Sequence, residues 1–267
     1  LTSAGGEGRT TVQMTYPHET GTTYVNWDFE EVWAEDIGFL RNDGYPVLRA
    51  MLPPVAGILS PVRSGTLVAG DTLRFSGLEL VGANATYEWD FGDGRNSIVR
   101  DPGLVSFPTI GTFEVTYRAI AEDGSEYFPD SRTYTVVADT GDIPDLRVMS
   151  VQVPPSPAVG QPLAITYNVR NVGQGSAGPS WKDAVYLSED AQFDVNDRFL
   201  GSAVVSQDLP PGASYQNTIN VTFPAVGEGA YYLILVVNDN WTLLERHRSN
   251  TEHAAAITAQ VPALQEG

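Results

Sequence analysis

The eight residues Tyr87-Glu88-Trp89-Asp90-Phe91-Gly92-Asp93-Gly94 constrain the fold more than any other stretch of the chain. Tyr87, Trp89 and Phe91 alternate with Glu88 and Asp90, so an extended strand there has one aromatic face and one carboxylate face. Asp93-Gly94 then offers a pair that tolerates positive φ, as a tight turn between antiparallel strands requires. The pattern predicts a strand that drives an aromatic wedge into a sandwich core and stops. Similar alternation recurs at Leu73 and Phe75, at Phe113, Val115, Tyr117 and Ala119, and at Tyr134 and Val136, with Gly and Asp clusters between. Short, regularly spaced strands separated by turn signals predict a β-sandwich.

A second set follows. Leu146, Val148, Val151 and Val153 lead into Leu163, Ile165, Tyr167 and Val169, then Val185 and Leu187, then Ile219, Val221 and Phe223. The run Tyr231 to Val237 is apolar on both faces and is expected to be a central strand. Ile257, Ala259 and Val261 close the set. Helical periodicity is nowhere sustained; Glu30 to Asp36 and Thr242 to Arg246 are each expected to form a helical turn at most. Leu52-Pro53-Pro54 should interrupt any ladder, because proline cannot donate to one. The polar, turn-rich stretch Asp139-Thr140-Gly141-Asp142-Ile143-Pro144 reads as a linker. The expected division is 1–54, 55–138 and 139–267.

Composition narrows the function. The chain has 267 residues, no cysteine and a formal net charge of −18. Stability must come from β packing or bound ions, without disulfides. So acidic a chain repels phosphate backbones and anionic membrane surfaces, which excludes nucleic acid as a partner and makes cations the natural small ones. No apolar run is long enough to span a bilayer, so no membrane insertion is expected. No charged and apolar leader pattern follows Leu1. The expectation is an internal piece of a longer protein.

Three resemblances add to this reading. Trp89 through Gly94, with Gly111-Thr112-Phe113-Glu114-Val115-Thr116, make the middle segment similar to a PKD domain, an immunoglobulin-like sandwich of secreted prokaryotic proteins. It departs from that pattern at Ser106-Phe107, where the family usually carries a histidine or other polar residue before the aromatic. The third segment resembles a CARDB domain, a bacterial module associated with cell adhesion. The stretches are Pro157 to Pro162, Tyr167 to Gly173, Val185 to Asp190, Asp197 with Leu200-Gly201, Gly229 to Leu233 and Glu245 to Asn250. Arg246, His247 and Arg248 interrupt the acidic, Asn-rich ending of that family, which argues against an ion site there. The first segment resembles the GLUG-type repeat that ends parallel β-solenoids, through Gly8 to Thr11, Met14, Trp27 to Phe29, Val32-Trp33 and Asn42 to Leu48. One coil cannot bury its own stacking face, so residues 1–54 are expected to meet other domains of the same polypeptide or another copy. The resulting fold class is all-β: a terminal β-solenoid-like segment followed by two immunoglobulin-like β-sandwiches. The resemblances imply an extracellular or cell-surface adhesion or stalk fragment. A self-assembling fibre subunit and accessory modules of a large secreted hydrolase are the alternatives.

Candidate chemistry lies in loops. Asp190, Asp194, Asn196 and Asp197 offer hard oxygen ligands suited to Ca²⁺, with Asp183 and Glu189 able to add charge; the plainer reading is a hairpin loop in which Asp and Asn form turns. Asp90 and Asp93 form a second such candidate, balanced by bonding to the turn amides around Gly92 and Gly94. Asp139, Asp142 and Asp145 could hold a cation at the second linker. Trp181 and Trp241 are the expected carbohydrate platforms, with half-buried packing as the plainer reading, and a glycan or a surface protein is the expected outside partner. Catalysis is not expected: none of the three histidines, His18, His247 and His253, lies in an HExxH arrangement, there is no Gly-x-Ser-x-Gly elbow and there is no thiol. His247 and His253, flanking Asn250 and Glu252, could bind a metal, a solvent-facing loop being the plainer reading.

Overall fold

The computed structural model describes residues 14, 24, 33–34, 45–48, 56–79, 85–122, 124, 126, 129–178 and 180–261. The chain divides into two compact units, Leu1–Val55 and Ala56–Gly267. Described in the first are β1 (Trp33–Ala34) and β2 (Val47–Leu48), an antiparallel pair with Trp33 opposite Leu48. The Tyr24 hydroxyl donates to the Met14 carbonyl at 2.7 Å. Most of the residues that carry the solenoid resemblance lie outside the described set, and the ladder that is described is antiparallel. Trp33–Ala34 is strand where a helical turn was expected.

The second unit holds two sandwiches. In the first, β3 (Ala56–Ser60), β5 (Thr72–Glu79) and β8 (Gly103–Ser106) form one sheet in the order β3-β5-β8. The facing sheet, ordered β4-β10-β9-β6-β7, contains β4 (Gly65–Val68), β6 (Thr86–Asp90), β7 (Asn96–Ser97), β9 (Gly111–Ile120) and β10 (Asp130–Val137). Only β4 and β10 pair in parallel there. The aromatic wedge is present: Trp89 and Phe91 are buried, and the Phe75 ring meets them edge-on at 5.5 and 5.4 Å between centroids. The turn after the wedge differs from expectation. The positive φ values fall on Gly92 and Gly94, at 74° and 87°, and Asp93 is ordinary. A side chain at Gly92 would also strike the Glu114 carbonyl at 2.7 Å, so strand β9 itself demands glycine there.

In the second sandwich, β11 (Leu146–Gln152), β12 (Pro162–Asn171) and β15 (Ser214–Thr222) form one sheet in the order β11-β12-β15. The other, ordered β14-β13-β16-β17, contains β13 (Trp181–Ser188), β14 (Arg198–Val205), β16 (Gly229–Val236) and β17 (Glu252–Ala259). Strand β16 is internal, as its two apolar faces imply. The core between the sheets includes Leu146, Ile165, Tyr167, Trp181, Val185, Ile219, Phe223 and Leu235. Thr242 to Arg246 forms no helix; a single 3-10 turn comes just after, at Arg248–Asn250.

Candidate functional site at the junction of the two sandwiches

The outer face of the β14-β13-β16-β17 sheet should meet water, yet its central residues are apolar and covered. Ala184 and Tyr186 of β13 point away from the core, opposite Val236 and Ile234 of β16. Ile234 is 1% exposed and Val236 3%. Their cover comes from Val62 of the first sandwich and from Phe193, whose ring lies 4.7 Å from that of Tyr186. Burying such a side chain fully is worth about 1.5–3 kcal/mol, so this patch is a second core, built by the second sandwich and completed by Val62 of the first. A backbone bond crosses the same seam, from the Val195 amide to the Leu59 carbonyl at 3.2 Å.

Ionic and aromatic contacts fasten the seam. Asp239, buried at the end of β16, accepts from Arg63 Nη2 at 3.0 Å and from the Tyr186 hydroxyl at 2.8 Å, and pairs with Lys182 Nζ at 3.0 Å. Burial opposes its ionisation, but the Tyr186 hydroxyl, Lys182 and Arg63 prevail and hold its carboxyl below the usual range. Across the seam, Asp71 accepts from the Arg248 amide at 3.2 Å and from the Thr72 amide at 2.8 Å. Burial outweighs these bonds and pushes Asp71 up to about 6. The buried Arg248 guanidinium sits 4.5 Å from the centre of the Trp241 ring and donates to the Leu243 carbonyl at 2.8 Å. Burial lowers its pKa, with Glu245 and Asp71 opposing. The Trp241 ring presses on Gly65 so closely that a Cβ there would lie 2.4 Å from Trp241 Cε3.

The loop that carries these residues is held from within. Asn238 and Trp241 adopt positive φ of 51° and 52°. Asn238 donates to the Leu243 carbonyl at 2.8 Å and to Glu245 Oε1 at 2.7 Å. Glu245 is 0% exposed and also accepts the Leu146 amide at 2.9 Å. Burial pushes it up to about 8, against the favourable field of Arg248.

The polar stretch 139–144 is not a free linker. Ile143 and Pro144 are buried, and the Pro144 carbonyl accepts the Arg246 amide at 2.9 Å. Arg246 pairs with Asp139, and His247 Nδ1 lies 2.9 Å from Asp145. Asn250 donates to Asp145 at 2.8 Å. Thus Arg246, His247 and Arg248, the residues that interrupt the acidic ending, supply partners for acids at the linker and the seam.

The other sequence candidates are placed as follows. In the 190–197 loop, Asp190 accepts the Gln192 amide at 2.7 Å, Asp194 the Asn196 amide at 2.7 Å and Asp197 the Asp194 amide at 3.0 Å. The first two are Asx-type turns, with Asn196 contributing its amide to the second, and the third reaches back three residues. Burial, reinforced by the neighbouring Asp194 and Asp190, pushes Asp197 up to about 6. Asp183 does not join that loop. It lies in the core, accepting from the Tyr167 and Tyr215 hydroxyls at 2.9 and 2.6 Å and from the Asn238 amide at 3.1 Å. Asp90 accepts the Gly92 amide at 2.8 Å. Asp93 is engaged by Arg95, whose side-chain bonds hold its carboxyl below the usual range. Among the described residues no group of three or more Asp, Glu or His converges to hold a metal ion. Trp181 corrects expectation: it is 1% exposed, edge-on to Tyr215, and a buried indole offers no sugar a face. Trp241 is half-buried at the seam, its ring occupied by Arg248 and Gly65. A cleft of about 450 Å³ opens beside it, lined in part by Pro61, Arg74, Phe193 and His253.

Family models detect a PKD domain at residues 58–127 and a CARDB domain at residues 143–255. These are non-catalytic families, typical of extracellular modules in multi-domain proteins. The PKD match falls within the first sandwich and the CARDB match within the second. No curated protein matches the chain at a significant level. Among solved structures, the CARDB domain of a Pyrococcus furiosus protein in complex with di-metal ions matches at 24% identity and a TM-score of 0.36, over 46% of this chain and 98% of its own. Fibronectin(III)-like modules of Clostridium thermocellum CbhA match at 14% identity and a TM-score of 0.30, over 80% of this chain and 98% of theirs. A Listeria innocua β-glucosidase matches at 12% identity and a TM-score of 0.31, over 43% of this chain and 16% of its own. Among the described residues no helix is long and apolar enough to cross a membrane.

Proposed function

We propose that the PKD and CARDB domains act together as one stiff, non-catalytic spacer in an extracellular or cell-surface protein of the adhesion or stalk type. The observation that carries this reading is the shared second core at the seam, where Val62 and Phe193 cover Tyr186, Ile234 and Val236. Inter-domain contacts of ordinary size and polarity leave domains free to move relative to one another; an apolar contact flanked by buried ion pairs opposes that motion. Arg63, Arg246 and Arg248 provide cations that calcium would otherwise supply, so the stiffness is assigned to the chain itself. Residues 1–54 are assigned to contact with further domains or with another copy. Spin labels on Ser131 and Asn220, both solvent-facing and one on each sandwich, test the spacer. A single narrow distance by pulsed electron resonance is expected; a broad distribution spanning tens of ångströms would refute it.

A further inference from the structure

We propose that β14 is a self-association edge, pairing antiparallel with β14 of a second copy to join two CARDB sheets into one. Strand β14 ends its sheet, and on the side away from β13 no described strand pairs with it. The opposite edge is already engaged: the Thr258 and Gln260 amides donate to the Pro155 and Pro157 carbonyls at 2.8 and 3.0 Å. At eight residues, β14 is also longer than any edge strand of the first sandwich, β3, β4, β7 and β8, at five, four, two and four. A long, unprotected edge is the kind that proteins usually blunt with charge, proline or a cover. From Phe199 to Gln207 this strand and its extension carry neither charge nor proline.

The side chains favour a twin over another partner. Phe199 and Val204 both face outward, opposite Tyr186 and Lys182 of β13, and are 52% and 65% exposed. The Phe199 ring is held in place by Tyr186, 5.6 Å away, and by Lys182 Nζ at 5.9 Å. A two-fold axis at Ser202, with Leu200 left out of the ladder as it is opposite β13, places Phe199 opposite the partner's Val204, and Val204 opposite the partner's Phe199. The strand is therefore complementary to itself, with two aromatic–β-branched cross-strand pairs, as an isologous interface demands. A second copy of a chain with net charge −18 is repelled over most of its surface, and β14, whose one charged residue is Arg198, adds no carboxylate to that repulsion.

Sedimentation velocity on the 267-residue chain tests this, from about 1 µM to about 200 µM. A dimer should grow with concentration, and more so at about 1 M salt than at about 0.1 M, where repulsion is less screened. Val204→Glu should weaken dimerisation at least about tenfold while leaving thermal unfolding unchanged, because two new charges then face the pairing edge. Opposed strand residues lie within disulfide range. An equimolar mixture of the Phe199→Cys and Val204→Cys variants should therefore give a linked dimer on oxidation, and either variant alone should not. A monomer under all conditions overturns the proposal. So does a dimer that ignores Val204→Glu and fails to cross-link in the mixture, since its interface would lie elsewhere.

Discussion

Substituting Gly65 by alanine separates the docked seam from any arrangement in which the sandwiches merely adjoin. Gly65 lies in β4 with ordinary φ, and there Gly→Ala should stabilise by about 0.4–1 kcal/mol by restricting the unfolded chain. The new methyl group, however, would sit 2.4 Å from Trp241 Cε3 and 3.0 Å from Cζ3. Carbon atoms prefer about 3.5–4.0 Å, so the indole must retreat by roughly 1 Å. Arg248 lies over that ring and is itself buried, which leaves little room for the movement. Overpacking of this kind costs about 1–3 kcal/mol. The expected net effect is a loss of about 1–2 kcal/mol, seen calorimetrically as a fall of about 3–6 °C in the unfolding temperature of the Ala56–Gly267 unit. In a Trp241→Ala background the same substitution should change sign and stabilise. A coupling energy of about 2 kcal/mol between the two sites is the signature. If Gly65→Ala stabilises the otherwise unaltered chain, Trp241 does not rest on β4 and the seam argued above is wrong.

Further outcomes follow from the same geometry. Asp71 and Glu245 have folded pKa values raised to about 6 and about 8. The folded state binds their protons more tightly than the unfolded chain does, so their contribution is full below about pH 4 and is lost as pH rises through 6 for Asp71 and 8 for Glu245. Thermal unfolding between pH 8 and pH 5 should therefore show rising stability on acidification, and Asp71→Asn should remove the part of the slope below pH 6; a fall in stability over that range contradicts the burial assigned to these groups. Excess chelator should leave the melting curve in place, because backbone amides and arginines already occupy the loop and linker carboxylates; a drop of several degrees would restore calcium to the 190–197 loop. With 33 acidic against 15 basic residues, and Lys182 the single lysine, self-repulsion opposes folding, so added salt should raise the unfolding temperature. Asp183→Ala should cost about 3 kcal/mol or more in chemical denaturation, since it strands the Tyr167 and Tyr215 hydroxyls and the Asn238 amide away from water; a change under about 0.5 kcal/mol would mean these groups find other partners.

Much of the sandwich architecture was legible because strand side chains repeat every two residues. Trp89 and Phe91, Ile165 and Tyr167, and Val185 and Leu187 are buried as their alternation implies. Trp181 was misplaced for a specific reason. It is in phase with Val185 and Leu187, but Asp183 breaks the apolar series, and the hydroxyls of Tyr167 and Tyr215, reaching across from the other sheet, together with the Asn238 amide make a carboxylate acceptable there. The turns at 90–94 and 190–197 were legible from their Asp and Gly residues, because Asp90, Asp190 and Asp194 each accept the amide two residues on.

Local pattern thus determined which residues form strands, which of their faces is apolar and where the turns fall, since each depends on neighbours a few positions apart. Tertiary structure alone decided what covers the second apolar face of β13 and β16, and where the cations go. Ile234 and Val236 lie more than 170 residues from Val62, and Arg248 lies 177 from Asp71. No periodicity in a sequence encodes which distant surface will supply a missing cover or counter-charge; the docking of one sandwich on the other does.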